Sequence, residues 1–174
     1  MKPQDNKIFA RLTDTQALAL TEFLEGRDLK YGEDEREKVM IGIAWVVMNR
    51  VAHPSWMGNT IKEVIFKPAQ FSEYLATDKE YALALKIAGN FDGYRLDEAR
   101  DRLPEMERRA LQLAFEIAAG VLMGHIPTPF VTKSVLNFWA RTSHPKYEKD
   151  YTMVQTWAGT GFWVKKEARK RSYI

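Results

Sequence analysis

Cysteine is absent from the 174 residues, and histidine occurs only three times. Without cysteine there is no disulfide framework, no thiolate zinc site and no cysteine nucleophile. His53, His125 and His144 each stand beside a proline or turn and show no HExxH-like spacing, so neither a metal nor another cofactor is expected. No run of about 18 uncharged apolar residues occurs, which excludes a membrane-spanning helix. The opening stretch MKPQDNKIFARLTD lacks the continuous apolar core of a signal peptide, so synthesis in the cytoplasm is the expectation. Neither sign of charge dominates: 26 lysines and arginines face 23 acids, for a net charge of +3. The bases are dispersed apart from the tail at about 164–174, and no nucleic-acid reading helix or stacking motif is visible. Such a tail would bind any polyanion weakly, including the phosphates and carboxylates of a cell wall.

What is present is apolar bulk. Hydrophobic residues make up 45% of the chain and aromatics 12%, enough for one compact domain over 1–174 with a sizeable core. No repeat or linker divides it, and no pattern fixes an oligomeric state, so a monomer is the expectation. Thr13 or Asp14 can cap a helix running to about Leu24, with Gly26 as a left-handed stop. A second helix starts at Glu33 to Glu35, where acids suit the positive end of its dipole, and stops at His53 before Pro54. Its interior VMIGIAWVVM is apolar on every face, the pattern of a central helix buried on all sides. NTIKEVIF reads as a short helix, KPAQFSEY as a loop, DKEYALALKIAG as a helix ending at Gly89, and NFDGYRLDEARDR as a surface insertion. LPEMERRALQLAFEIAAGVLMG is a long helix with Pro104 in its first turn and Gly124 as its stop. SVLNFWARTSHPKY and TMVQTWAGTGFWV have aromatics, β-branched residues and turn glycines without helical period, as in a small β-hairpin or ordered loops. The fold expected is mainly α with a minor β element.

One acid stands out. Ala17, Leu20 and Leu24 share the core stripe of the first long helix; Glu25 lies beyond its border and Glu22 further toward solvent. Glu25 is half withdrawn from water at the negative end of a helix, and both effects disfavour its charge. Its pKa should lie above the ordinary value of about 4.3, leaving it able to donate a proton near neutral pH. The alternative is that it pairs with Arg27, Arg50 or a lysine.

FLEGRD, a polar stretch, IGIAWVVMNRV, PAQFS, NFW and GTGFWVKK follow one another in an order that resembles the SleB-like cell-wall hydrolases, a family of spore-cortex-lytic enzymes and related phage endolysins. The similarity covers about Thr15 to Lys166. It implies a lysozyme-like helical fold and cleavage of the glycan strand of peptidoglycan, the implied partner, by lytic transglycosylation. It maps the catalytic glutamate onto Glu25 and gives Gln70, Phe71 and Ser72 a place along the cleft. Three features depart from the family pattern: a longer polar segment from Asp28 to Lys38, Asn137 in place of a common histidine, and GTGFW where Asn-His is frequent.

The residues around these motifs have chemistry suited to a sugar. Gln70 and Ser72 offer neutral hydrogen bonds, and Phe71 and Tyr74 flat faces, although Phe71 suits the core equally well. Asn137, Phe138, Trp139 and Tyr147 follow in the next motif, with Trp139 able to cover a sugar face or to pack. Asn49, after an all-apolar run, must find partners for its amide and is expected to be structural. A hydrolytic muramidase would need a second carboxylate, and Glu22, Asp28, Asp34, Glu35 and Glu73 are candidates, with Asp34 and Glu35 better suited to starting the second helix. A phage structural protein that keeps the fold without activity is the remaining alternative. An enzyme without an export signal would reach the wall as an endolysin does, after release through the membrane, or on a virion.

Overall fold

The structure is a computed structural model that describes residues 3–53, 57–68, 70–91, 103–140 and 150–166. Pro54, Tyr147, His144, most of the expected insertion and the tail beyond Lys166 lie outside the described residues. The described elements are α1 (Lys7–Ala10), α2 (Asp14–Gly26), α3 (Glu33–Ala52), α4 (Ile61–Ile65), α5 (Tyr81–Gly89), α6 (Glu105–Leu122), β1 (Val135–Ala140), β2 (Tyr151–Trp157) and β3 (Thr160–Lys165), with a 3-10 turn at Ser72–Tyr74. The fold is mainly helical with a small antiparallel sheet of order β1-β3-β2, as the sequence patterns imply.

Local chemistry explains where the helices start and stop. Thr13 caps α2 through a reciprocal box: its Oγ1 accepts from the Gln16 N–H at 3.2 Å, and Gln16 Oε1 accepts from the Thr13 N–H at 2.9 Å. Three acids, Glu33, Asp34 and Glu35, occupy the first turn of α3. Helix α6 ends at a left-handed Gly124, whose φ is 75°. Gly26 is different from its expected role. It is not left-handed but remains inside α2, because a Cβ there would stand 2.8 Å from Met40 Cγ on α3. Its small size, not its torsional freedom, is what the structure uses.

Helix α2 packs against α3, α4, α5 and α6, so almost all of its residues from Gln16 to Gly26 are buried. Glu22 is therefore not on a solvent face. It is 0% exposed, and neither carboxyl oxygen has a hydrogen-bond partner among the described residues. The wheel assigned one buried stripe to a helix that is covered on nearly every side.

Helix α3 joins two cores, which accounts for its apolar residues all round. Met40, Ala44 and Val47 enter the helical core with Leu20, Phe23 and Leu111. Val39, Ile43 and Val46 enter a second cluster with Phe130, Val135 and Phe162 against the sheet. Gly42 lets β3 come close, since a Cβ at that position would lie 2.5 Å from Phe162 Cζ. Two polar side chains near the end of α3 fasten β1. Its pairing with β3 is irregular between Val135 and Asn137; there Asn49 Nδ2 donates to the Val135 carbonyl at 3.1 Å and Arg50 Nε donates to the Leu136 carbonyl at 2.8 Å. Asn49 thus has the structural role its buried amide requires.

Candidate functional site

The C-terminal turn of α2 opens into a groove of about 580 Å³ lined by Glu25, Gly26, Asp28, Lys30, Tyr31, Glu35 and Val39 on the helical side and by Ala158, Gly159 and Thr160 on the sheet side. The sheet wall is the tip of the β2–β3 hairpin. Ala158 and Gly159 both have positive φ, 43° and 75°, as a two-residue turn between twisted strands requires. An alanine in that conformation is strained, and its neighbours hold it there. The Ala158 N–H donates to Glu35 Oε2 at 3.3 Å, and a Cβ on Gly159 would stand 2.7 Å from the Tyr31 hydroxyl. The tip is consequently pinned to the start of α3.

Glu25 is exposed, yet protein surrounds it on most sides. It lines the groove with its side chain open to it. Displacement of water by that surrounding protein is the largest effect on its carboxyl and raises the pKa; a hydrogen bond from Glu73 lowers it, the charge of Asp78 raises it, and Arg50 and Arg27 lower it. The net direction is upward. Among the described residues Glu25 forms no ion pair. Arg27 is committed to Glu80 at 2.5 Å, to Glu107 at 3.9 Å and to the Phe23 ring, and Arg50 to the Leu136 carbonyl and the face of Phe71. Burial pushes the Arg50 guanidinium down to about 10, against the opposing influence of Glu25.

The Gln-Phe-Ser-Glu-Tyr loop lies behind Glu25 rather than across a sugar. Phe71 and Tyr74 are 2% and 1% exposed, so neither offers a stacking face: Phe71 takes the core alternative, and the expectation for Tyr74 is corrected. The Phe71 ring lies beneath Arg50, 5.3 Å from its guanidinium carbon, and 6.1 Å from the Phe138 ring. Phe138 packs in turn on Phe162, with ring centres 6.1 Å apart, on the face of the sheet toward α3. The Tyr74 hydroxyl is 2.7 Å from Thr21 Oγ1 on α2. Gln70 is half-buried, Ser72 is exposed, and Asn137 is half-buried opposite Trp163 on β3. Trp139 packs edge-on against Tyr151 and Trp163, with ring centres 5.3 and 6.0 Å away. None of these four is among the groove-lining residues.

Two parts of the site were not evident from sequence. Glu73, one of several acids that looked alike there, is 3% exposed and lies within hydrogen-bonding reach of Glu25. Its pKa is well above the ordinary range, chiefly through burial and then through the charge of Glu25. The hairpin tip and Tyr31 form the opposite wall; the paired glycines of GTGFW were the available sign that backbone there approaches something closely. Among the described residues no group of three or more His, Cys, Asp or Glu is placed to hold a metal.

A family model described as Cell Wall Hydrolase matches residues 34–162. The match takes in α3, Glu73 and the hairpin tip and begins after Glu25. No curated protein and no solved structure matches the chain.

Proposed function

Because the chain belongs to the cell wall hydrolase family, whose substrate is peptidoglycan, we propose that it cuts the glycan strand between N-acetylmuramic acid and N-acetylglucosamine as a lytic transglycosylase, with Glu25 as its acid and base. The observation that carries this reading is Glu25 itself: a carboxyl lining a groove, held toward its protonated form by the protein around it, with no ion pair among the described residues. Protonated Glu25 donates to the glycosidic oxygen as the bond to the muramic C1 breaks. The resulting carboxylate takes the proton of the muramic 6-hydroxyl as that oxygen closes on the oxocarbenium-like carbon. Glu25 ends protonated, and no water is consumed.

The surroundings of the neighbouring acids support one acid rather than two. A retaining hydrolase sets its two carboxyl groups about 5–5.5 Å apart and an inverting one about 6.5–9.5 Å. Glu73 is buried and held well above the ordinary carboxylate range, which suits neither a nucleophile nor a water base. Asp28 is paired with Lys30 at 2.7 Å. Glu35 favours a second reading. It lines the same groove, and its pKa is lowered, first by Lys38 at 2.8 Å and also by the Ala158 N–H. A raised and a lowered carboxyl in one groove is the division of labour of a hydrolytic muramidase.

Clearance of a peptidoglycan suspension tests the common part of both readings. Glu25→Gln should slow it at least about 10²-fold, the lower range for general acid–base catalysis; equal rates would remove Glu25 from the chemistry and favour a non-catalytic phage structural protein. Product mass separates the two mechanisms. Transglycosylation leaves 1,6-anhydromuramic ends, one water lighter than the reducing ends left by hydrolysis, and reducing ends alone would assign the water-activating role to Glu35. The family acts on the wall, and no described helix is long and apolar enough to cross a membrane. Service as a phage endolysin belongs to this proposal, and lysis from within only when the membrane is also permeabilised is its expected signature.

A further inference from the structure

Two carboxylates cannot hydrogen-bond to each other unless one of them carries a proton. Glu73 sits within hydrogen-bonding reach of Glu25, and two like charges at that range, one of them buried, are relieved when the pair holds at least one proton. Solvation decides where it resides. Glu25 is open to the groove and has Arg50 and Arg27 nearby, whereas Glu73 is 3% exposed and its Oε1 has no partner among the described residues. Negative charge settles on the better-solvated group, leaving Glu73 as the neutral donor. The surrounding groups agree with this assignment: Asp78 disfavours charge on both acids, the two arginines favour it on Glu25, and the Tyr74 hydroxyl is occupied by Thr21.

The backbone makes this pairing rigid. Glu73 lies in the 3-10 turn between Phe71, packed under Arg50, and Tyr74, bonded to Thr21 one turn before Glu25 on α2. The two carboxyls are therefore held side by side by contacts that involve neither.

We infer that Glu73 is a positioning residue for Glu25: buried behind the groove, it keeps its own proton and donates a hydrogen bond to the carboxylate that Glu25 becomes between its two proton transfers. The inference rests on the reading of Glu25 as the acid–base group. Glu73 exchanges nothing with substrate. Its hydrogen bond favours the ionised form of Glu25, which makes Glu25 a stronger acid at the moment the glycosidic bond breaks.

The test compares Glu73→Gln, which keeps an N–H donor, with Glu73→Leu, which has none, in full-length protein clearing peptidoglycan across a pH series. Losing a donor to the charged form raises the pKa of Glu25. Glu73→Leu should thus lose at least about tenfold in rate and move the alkaline limb of the pH profile up by about one pH unit. Glu73→Gln should stay within about threefold of wild type with its limb unmoved. A wild-type limb in Glu73→Leu, or equal shifts in both variants, overturns the inference while an inactive Glu25→Gln leaves the acid assignment standing. A fully active Glu25→Gln overturns both. Should Glu73→Leu not fold, carboxyl 13C NMR gives the same answer: the Glu73 titration midpoint should fall when Glu25 is replaced by Gln, and an unchanged midpoint overturns the pairing.

Discussion

Replacing Glu22 should stabilise the protein, and by more as pH rises. Its carboxyl is fully buried in α2 with both oxygens unpartnered, and burial holds its pKa well above the ordinary value. In the unfolded chain the same group ionises at about pH 4.3. Below that value both states bind the proton, and burial causes no pH-dependent loss. Above it the unfolded chain releases the proton while the native state keeps it, so native stability falls by about 1.4 kcal/mol per pH unit until native Glu22 also ionises. Glu22→Met is similar in volume and has no ionisable group. Its stability advantage over wild type should widen as pH rises from about 5 to about 7, by up to about 1.4 kcal/mol per pH unit. At roughly 2–4 °C per kcal/mol for a chain of this size, the gap in Tm should grow by several degrees over the same range. Urea unfolding at pH 5, 6 and 7 measures it, since Glu25 and Glu73 contribute nearly equally to both proteins and cancel in the difference. Glu22→Gln should show the same widening but lie below Glu22→Met, because its amide remains buried and unpartnered. A gap that does not change with pH would refute the burial of this carboxyl.

Two further substitutions examine how the groove is assembled. Gly42→Ala places a methyl group 2.5 Å from the Phe162 ring, so it should destabilise by about 1–3 kcal/mol and push the sheet away from α3, read as a lower urea midpoint together with slower wall clearance. Asn49→Ala leaves the Val135 carbonyl without its donor and should cost about 1–3 kcal/mol in urea unfolding, with the pH profile of activity unaltered because no titrating group has changed.

Much of the fold was legible in the chain because it follows from local rules. The capping box at Thr13, the acids opening α3 and the glycine closing α6 each satisfy backbone groups within a few residues. The ten-residue apolar run of α3 allowed only a helix buried on every face. Features that depend on what a helix meets were not legible. Glu22 looked solvent-facing because nothing local reveals that α2 is covered by four other helices. Gly26 looked like a stop because its packing against Met40 is set by another helix. Glu25 was visible as an acid misplaced for its helix end, a conflict between local preference and position that needs only sequence to detect. Glu73 was one acid among several until the fold put it behind Glu25, and the Phe71 and Tyr74 rings that suggested a sugar platform are what hold it there.

The groove has one wall on the helices and the other on a hairpin, and α3 carries both. Its helical-core face determines where Glu25 stands, and its sheet face determines where Ala158 and Gly159 stand. The aperture between them is in effect a calliper setting, fixed by a glycine on each of two helices rather than by the loops that close over many clefts. A lineage adapting to bulkier decorations on the glycan would find the adjustment at Gly26, beside the acid, and at Gly42, where α3 meets the sheet.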